Sequence, residues 1–567
     1  MSAAVRSVLH DKVAKVLRSG TSNDINFIAS HLVLRLNTDA NMFCFLLPLR
    51  TREYDVQNDI HDASHQTDDF VNNIRVVKES SKDTLAFEVP RNEFIKSLLL
   101  NSVENVFRPK LSNSEKKVVV EFSSPNIAKP FHVGHLRSTI LGNYIANLNS
   151  FVQNDVKKIN YLGDWGTQFG YVQLGIDLCN VSKESMEANP IKELYKAYVH
   201  ANTLTKDDPT IADKAREIFK QLENGESENF TRWETYKKYT IEELQKIYAR
   251  LGVTFDEYHW ESTYNAKAVN NLISKMEQLR LLETDAENRK VVSIKKMRVP
   301  IIKSDGSTLY ITRDIAAAID RFNKYNFDHM YYVVDSGQTE HFNKLVEILK
   351  LMKEPWMDRL THVKFGKIQG MSTRKGTAVF LDDFLDEMRN VMQEKQIQSP
   401  TTKVNVDVSN HTSDILGISA VIVNDFKQRR QKDYQFDWDT ALDVKGDTGV
   451  KMQYVHCRLS NLEKNCNVKL VHECDPTLLM EPVVDEVALV LGKFEESVFK
   501  SYQTLEPCIL TIYLFALCNV TNKAIKLLRV KGEPTDVASQ RLLLFHACKN
   551  VLAQGMKLLG IQPLDKM

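Results

Sequence analysis

Glu121–Gly142 reads EFSSPNIAKPFHVGHLRSTILG. An apolar run, Val118–Val120, leads into it. A loop with two serines, a proline and an asparagine follows, and His132-Val133-Gly134-His135 then opens a helix. Leu136, Ile140, Tyr144 and Leu148 recur at every fourth position on that helix, the spacing of a buried stripe. Strand, polar loop and helix N-terminus in this order form the α/β device that holds a phosphate-bearing ligand.

Working outward, Val156–Tyr161 is a second strand, closing on Leu162-Gly163-Asp164-Trp165-Gly166. Glycines on both sides of an acid–aromatic pair permit close backbone approach at a strand's C-terminal end, where open α/β sheets bind ligands. The order recurs later. Lys290–Lys303 has strand character, and Thr308–Asp314 leads into a helix through Ile319. Met330–Val334 reads as a buried parallel strand closed by Asp335-Ser336-Gly337-Gln338. Residues 111–180 and 300–370 thus form two halves of one nucleotide-binding sheet. The strand His362–Lys367 precedes Gln369-Gly370-Met371-Ser372-Thr373-Arg374-Lys375-Gly376. Two hydroxyls and two cations between glycines suit a polyphosphate, although a surface basic turn has the same composition. The P-loop pattern G-x-x-x-x-G-K-[ST] occurs nowhere in the chain.

The flanks differ in character. Residues 1–110 read as a separate α+β domain, with a strand Thr84–Val89 and a helix Asn92–Leu100, and without a constellation that carries chemistry. Between Pro190 and Leu282 the chain is mostly helical, and Lys237 and Lys238 read as part of a solvated face. Beyond Asp382, periodic segments at Ile415–Phe426, Val450–Leu462, Val483–Val498, Pro507–Leu528 and Val537–Leu559 give a helical bundle. Arg429, Arg430, Lys432, Lys451, Arg458, Lys523, Lys526, Arg529 and Lys531 could give the bundle a basic side suited to an RNA backbone, or an ordinary solvated face.

At 567 residues the chain has room for about three to four domains. A hydrophobic fraction of 43% with 26% charged residues excludes general disorder. Seventy-four basic residues nearly cancel 73 acidic ones, so total charge decides nothing about a nucleic-acid partner. The eight cysteines contain no C-x-x-C pair and read as reduced thiols; Cys457, Cys466 and Cys474 with His456 and His472 lack the spacing of a zinc knuckle. No run reaches the roughly 20 apolar residues of a membrane span. The first 20 residues carry Asp11 as their only acid, a pattern that fits a mitochondrial import signal and a first amphipathic helix equally.

Taken together, these blocks resemble a class I arginyl-tRNA synthetase of the eukaryotic cytosolic and mitochondrial branch. His132–His135 is similar to the class signature H-I-G-H, while Phe122–Asn126, Leu162–Gly166, Tyr310–Asp314 and Gln369–Gly376 resemble the arginine-specific versions of the surrounding blocks. Gly555–Gly560 resembles the family's last helix, and the resemblance runs from about residue 112 to the end. It implies a Rossmann-type α/β catalytic domain at 111–411 with a helical insertion at about 185–285. An N-terminal accessory tRNA-binding domain at 1–110 and a helical anticodon-binding domain at 412–567 would flank it.

The implied activity is ATP-dependent ligation of L-arginine to its cognate tRNA through arginyl-adenylate, with bound tRNA needed for efficient activation. Arginine's carboxylate attacks the ATP α-phosphate and releases pyrophosphate. The terminal ribose hydroxyl of the tRNA then attacks the activated carbonyl and displaces AMP. The resemblance implies catalytic roles for His132, His135, Lys129, Arg374 and Lys375, and ATP contacts from His132, Gly134, His135, Met371, Ser372 and Thr373. It places Glu121, Ser124, Asn126, Tyr310, Asp314 and Gln338 around arginine, with Asp314 as the specificity carboxylate and Glu121 near the ammonium group. Tyr310 and Asp314, four apart, face one pocket if their segment is helical. The class loop K-M-S-K-S appears as Gly370-Met371-Ser372-Thr373-Arg374, so neither lysine is kept in register, and Lys129 occupies the upstream place thought to compensate.

The histidines are better suited to electrostatic and hydrogen-bonding work than to general base catalysis, because arginine's carboxylate is already ionised. Tyr454, His456 and Arg458 stand where RNA contacts are expected, although core packing accounts for Tyr454 as well. Magnesium enters with ATP, and no bound zinc, separate editing domain or membrane contact is implied. The implied protein is a monomer of the mitochondrial matrix, or otherwise of the cytosol. Two other readings remain: a different adenylyl-transferring α/β enzyme, and a non-catalytic RNA-binding protein derived from a synthetase.

Overall fold

The computed structural model describes residues 32–38, 40–48, 67–79, 82–104, 115–127, 129, 131–223, 228–295, 297–304, 306–371, 380–399, 410–443 and 446–567. The first 31 residues, with their amphipathic stretch, lie outside the described residues, as do Ser372, Thr373, Arg374 and Lys375.

The N-terminal sheet is antiparallel, in the order β1 (Val33–Asn37), β2 (Met42–Pro48), β4, β3 (Asn73–Glu79), with β4 spanning Lys82–Pro90. Helix α1 (Arg91–Glu104) covers one face, where the Phe94 ring stacks on Phe43 at 4.1 Å.

A five-stranded sheet follows, and every pairing in it is parallel. Its strands are β5 (Lys117–Glu121), β6 (Asp155–Leu162), β7 (Glu257–Trp260), β11 (His329–Asp335) and β12 (Leu360–Phe365), in the order β12-β11-β5-β6-β7. Strands buried on both faces need continuous apolar runs, which explains Val118–Val120. The chain winds outward from β5 in one direction through β6 and β7, then returns to its other side with β11. The crevice between the ends of β5 and β11 is therefore the topological switch point at which such sheets bind ligands.

Helix α2 (Val133–Phe151) follows β5, and α3 (Thr167–Leu178) follows β6. Helices α4 (Lys183–Ala188), α5 (Pro190–Leu204), α6 (Thr210–Glu223) and α7 (Glu228–Arg250) make the insertion. The region read as helical also contains β7, because a four-residue edge strand is too short to show a period of its own. After α8 (Ala266–Gln278), β8 (Leu282–Thr284), β9 (Lys290–Ile294) and β10 (Met297–Ile302) form an antiparallel sheet. Helix α9 (Tyr310–Tyr325) leads into β11, and α10 (Thr339–Leu351) lies between β11 and β12. A two-residue strand β13 (Ile368–Gln369) lies outside the five-stranded sheet, and α11 (Leu381–Gln398) follows.

The bundle comprises α12 (Asn410–Phe426), α13 (Gly449–Asn465), α14 (Pro482–Gly492), α15 (Phe494–Thr504), α16 (Pro507–Leu527) and α17 (Thr535–Leu558). Between α12 and α13 lie strand β14 (Tyr434–Gln435), paired parallel to β13, and a one-turn helix. The single helix expected over Val483–Val498 breaks at Lys493, with α15 restarting at Phe494. At Gly492 a Cβ would lie 2.6 Å from the Leu34 side chain and 2.8 Å from the Phe94 ring, so the N-terminal sheet packs against the break. By length and composition α16 could cross a membrane, contrary to the sequence expectation, but 61% of that stretch is buried as a central bundle helix. His456 and Cys457 are buried and both contact the Leu564 carbonyl, at 2.7 and 3.1 Å. His456 is therefore committed to packing the C-terminal segment rather than to RNA, while Tyr454 is 47% exposed.

Three ion-pair systems join these parts. Arg91 reaches Asp485 at 2.6 Å and ties the N-terminal sheet to the bundle. Arg250 at the end of α7 meets Asp382, Asp386 and Asp414 at 2.7–2.8 Å. Arg137, 1% exposed on α2, pairs with Asp425 at 3.0 Å and donates to the carbonyls of Gly366 at 2.6 Å and Lys432 at 3.0 Å. Removing one partner of a buried pair leaves the other charge uncompensated. Arg137→Met is therefore expected to cost about 3–5 kcal/mol, read from the urea-unfolding midpoint, and adding Asp425→Leu should restore most of it. A single substitution without measurable cost would show that the pair holds nothing together.

Candidate active site

At the switch point β5 ends in Glu121, and the next two residues that reverse the chain, Ser123 and Ser124, have φ of 69° and 44°. Non-glycine residues rarely take that conformation, and here a hydrogen-bond network holds it. Ser123 N donates to the Ser138 hydroxyl at 3.0 Å, and Ser123 Oγ meets Tyr248 Oη at 2.7 Å. Ser124 N donates to Asn160 Oδ1 at 3.1 Å, and Ser124 Oγ accepts from Tyr161 N at 3.2 Å. Asn126 forms an isolated bridge with Gly163, and Ile127 N donates to the Gly163 carbonyl at 3.0 Å. The loop is thus fastened to the end of β6, bringing the Phe122–Asn126 and Leu162–Gly166 blocks together.

His132 caps α2. Its Nδ1 accepts from Gly134 N at 2.9 Å, while His135 Nδ1 accepts from His132 N at 3.3 Å. With Nδ1 an acceptor in each ring, the neutral tautomer carries its proton on Nε2, so each imidazole keeps one N–H donor for an outside acceptor. The ring centroids lie 4.4 Å apart. Burial lowers the proton affinity of both, with His135 falling to about 3 as His132 and Lys129 add to the effect. Two neutral N–H donors at a helix N-terminus form an anion site. Gly134 is required because a Cβ there would lie 2.5 Å from the His132 ring. Lys129 is exposed beside both histidines, and its own N–H donates to the Asn126 carbonyl at 3.1 Å. Met371 is 7% exposed and packs in the core.

Tyr310 and Asp314 stand on the first turns of α9, one turn apart, as the four-residue spacing requires of a helix. Tyr310 is 57% exposed, and its hydroxyl lies 3.8 Å from where a Cβ on Gly166 would project. Gln338 is exposed in the turn that ends β11.

Glu121, expected near the ammonium group of the substrate, is the last residue of β5. It is 5% exposed at the floor of the crevice and pairs with Arg321 of α9 at 2.5 Å. Burial pushes its carboxyl up, Arg321 opposes this, and the charge of Asp314 adds to the rise, so the two acids share one field. Asp164 lies within the Leu162–Gly166 block that follows β6. It is fully buried, accepting from Ser262 N at 2.8 Å and Ser262 Oγ at 2.6 Å and pairing with Lys237 at 3.2 Å. Lys237 is consequently not part of a solvated face: it is 8% exposed, and its ammonium lies 4.4 Å from the centroid of the Trp260 ring. Arg313 pairs with Glu261 at 2.7 Å, and its guanidinium lies 4.8 Å from the Tyr310 ring centroid.

Four carboxylates thus converge beside the crevice. Glu121, Glu261 and Asp164 are each matched by Arg321, Arg313 and Lys237. Among the described residues Asp314 has no Lys or Arg partner within ion-pair distance; it meets His341 Nε2 at 2.7 Å. Among the described residues the buried Tyr161 hydroxyl has no hydrogen-bond partner. Arg321, Glu261 and His341 escaped the sequence reading, since no local pattern marks residues that meet only through the sheet. Arg313 stood inside the quoted Tyr310–Asp314 block.

Residues 95–438 match the family described as tRNA synthetases class I (R), catalytic domain, and residues 452–567 match the DALR anticodon binding domain. The Homo sapiens protein named probable arginine–tRNA ligase, mitochondrial, is 40% identical over 505 residues, covering 87% of this chain and 87% of the relative. The Dictyostelium discoideum protein named probable arginine–tRNA ligase, cytoplasmic, is 40% identical over 480 residues, covering 80% and 81%. In fold, the chain is similar to the Thermus thermophilus arginyl-tRNA synthetase, with a TM-score of 0.79 at 20% identity over 99% of this chain and 100% of that one.

Burial raises the Glu261 carboxyl from its ordinary 4.5 to about 7, with Arg313 opposing and Asp314 and Asp164 adding to the rise. A carboxyl raised on folding holds its proton more tightly in the folded state. Its stabilising contribution is full below about pH 4.5 and is lost as pH rises through about 7. Glu261→Gln is expected to flatten this part of the curve of urea midpoint against pH. A slope unchanged by the substitution would mean that Glu261 does not titrate there.

Proposed function

The chain belongs to the class I arginyl-tRNA synthetases, and from that membership we propose how its site divides the work. The protein is an arginine–tRNA ligase: it couples ATP to the ligation of L-arginine to tRNA through arginyl-adenylate. The observation that carries the specificity is the charge of Asp314, the one carboxylate of the four that no Lys or Arg of the described chain neutralises. A guanidinium presents a planar fork of donors that a carboxylate can meet bidentately, whereas an ammonium offers only a point charge.

Glu121, paired to Arg321, forms the floor behind Asp314 and belongs at the side-chain end of the substrate. Ser124, Asn126 and Gln338 hold the α-amino and carboxyl end, and Tyr310 closes the open side. His132 and His135 donate their Nε2–H groups to ATP phosphate oxygens, while Lys129, Arg374 and Lys375 offset charge as pyrophosphate departs. Magnesium arrives bound to the ATP substrate, with much of its coordination from phosphate and water. Among the described residues no group of three or more His, Cys, Asp or Glu side chains could hold a metal.

The bundle receives the anticodon arm, and the N-terminal sheet supplies an accessory tRNA contact in a monomer. The domain limits stand at 1–110, 111–411 and 412–567, and the expected compartment is the mitochondrial matrix, with the cytosol as the alternative. A reporter fused to residues 1–25 tests the compartment: matrix import is expected, and a diffuse cytosolic signal would assign the cytosol.

Pyrophosphate exchange with arginine and tRNA tests the chemistry. Lysine should not substitute for arginine, and equal exchange with lysine would refute the specificity. Lys129→Ala should lower exchange about 10²-fold, as loss of one transition-state contact does. Exchange at the wild-type rate would remove Lys129 from the mechanism.

A further inference from the structure

Helix α10 begins immediately after the turn that closes β11, and its third residue is His341. The imidazole crosses from α10 to α9 and meets Asp314 Oδ2 at 2.7 Å, with side-chain exposures of 25% and 29% for the two residues. An imidazole nitrogen at that distance from an ionised carboxylate carries a proton, so His341 Nε2–H is the donor. The ring is supported from behind. Phe342 lies against it at 5.6 Å, edge to face, and Phe342 in turn stacks on His362 at 4.4 Å. The donor is thus fixed by the helix start and by an aromatic stack, independent of anything bound.

A bidentate guanidinium contact requires the carboxylate plane to match the plane of the fork. The terminal torsion of an aspartate is an sp³–sp² bond with a broad, two-fold profile, so a partly exposed carboxylate swivels unless something holds it. We propose that His341 is a positioning residue for arginine selection: its hydrogen bond to Oδ2 fixes the plane of Asp314, leaving Oδ1 and the remaining lone pair of Oδ2 to meet a guanidinium edge. An ammonium approaches a carboxylate from any direction and gains nothing from a fixed plane. His341 therefore strengthens discrimination between the two cation types rather than attraction for positive charge in general. This rests on the reading of Asp314 as the guanidinium carboxylate.

The test uses the full-length chain in tRNA-supported pyrophosphate exchange, with lysine as a competitive inhibitor. His341→Ala should raise the arginine KM about tenfold, the scale of a lost hydrogen bond to a charged group, with kcat, the ATP KM and the lysine Ki each within about twofold of wild type. His341→Gln, which keeps a donor, should recover most of the arginine KM. His341→Phe, which keeps the ring packing without a donor, should match the alanine variant and serves in its place if the latter fails to fold. An unchanged arginine KM in both donor-less variants would overturn the proposal, and so would a parallel rise of the arginine KM, ATP KM and lysine Ki. Asp314→Asn separates the two claims. If it leaves the arginine KM unchanged, the underlying reading of Asp314 fails; if it raises that KM while the His341 variants are silent, only the role of His341 fails.

Discussion

The buried guanidinium of Arg137 is the constraint on which the catalytic arrangement depends. Placing a charge at 1% exposure is costly unless it is paired, and three separate segments face this guanidinium, with carbonyls meeting its terminal nitrogens and a carboxylate beside Nε. Asp425 supplies the counter-charge from the end of α12, Gly366 supplies a carbonyl from the chain leaving β12, and Lys432 supplies one from the chain approaching β14. The residue itself sits on α2 two positions beyond His135, so the helix start that presents both histidines is held by the same group. On the far side of the signature loop, Leu381 N donates to the Phe131 carbonyl at 2.7 Å, directly before His132. Both stems of segment 372–379 are therefore anchored to the two ends of one short stretch, Phe131–Arg137.

This arrangement supplies a physical route between the bundle and the chemistry. The stem entering the loop is strapped to the connector between α12 and α13. Gly366 N donates to the Arg430 carbonyl at 2.9 Å, Lys367 N to Asp433 Oδ1 at 2.6 Å, and Phe436 N to the Gln369 carbonyl at 2.8 Å. Arg430, which the sequence offers as a basic surface residue, instead donates to the Lys364 carbonyl at 2.5 Å and lies 3.5 Å from Glu506. Coupling between sites requires an element that both can bias, and the β13–β14 strap contacts the loop stem on one side and the bundle on the other.

What the sequence revealed and what it hid divide along the range of the interactions. The α2 stripe, the parallel strands and the pairing of Tyr310 with Asp314 were legible because each rests on a local period or on an offset within one helix. Lys237 was read as solvated because a helical period marks a polar position without showing what lies across from it. Asp164 and Trp260 come to Lys237 only when β6 and β7 align. The orientation of the Glu121 carboxylate was hidden for the same reason: it is set by Arg321, 200 residues away. The break at Lys493 was invisible because the apolar period continues through it, and only the docking of Leu34 and Phe94 at Gly492 marks the site.

The strained pair Ser123-Ser124 ties the end of β5 to both α2 and β6. Left-handed conformations at non-glycine residues cost roughly 1–2 kcal/mol each, so two in succession persist only where the surroundings over-determine them. Here Thr139 Oγ1 donates to Ser123 Oγ at 2.8 Å from α2, while Asn160 fixes Ser124 from β6. The first contact belongs to the helix that begins at His132 and His135, and the second to the strand that leads into Leu162–Gly166. Relaxing the turn would release both attachments together. The hydrogen bonds that hold the strained turn therefore maintain the register between the end of β5 and the start of α2, and that register sets the spacing of Asn126 and His132.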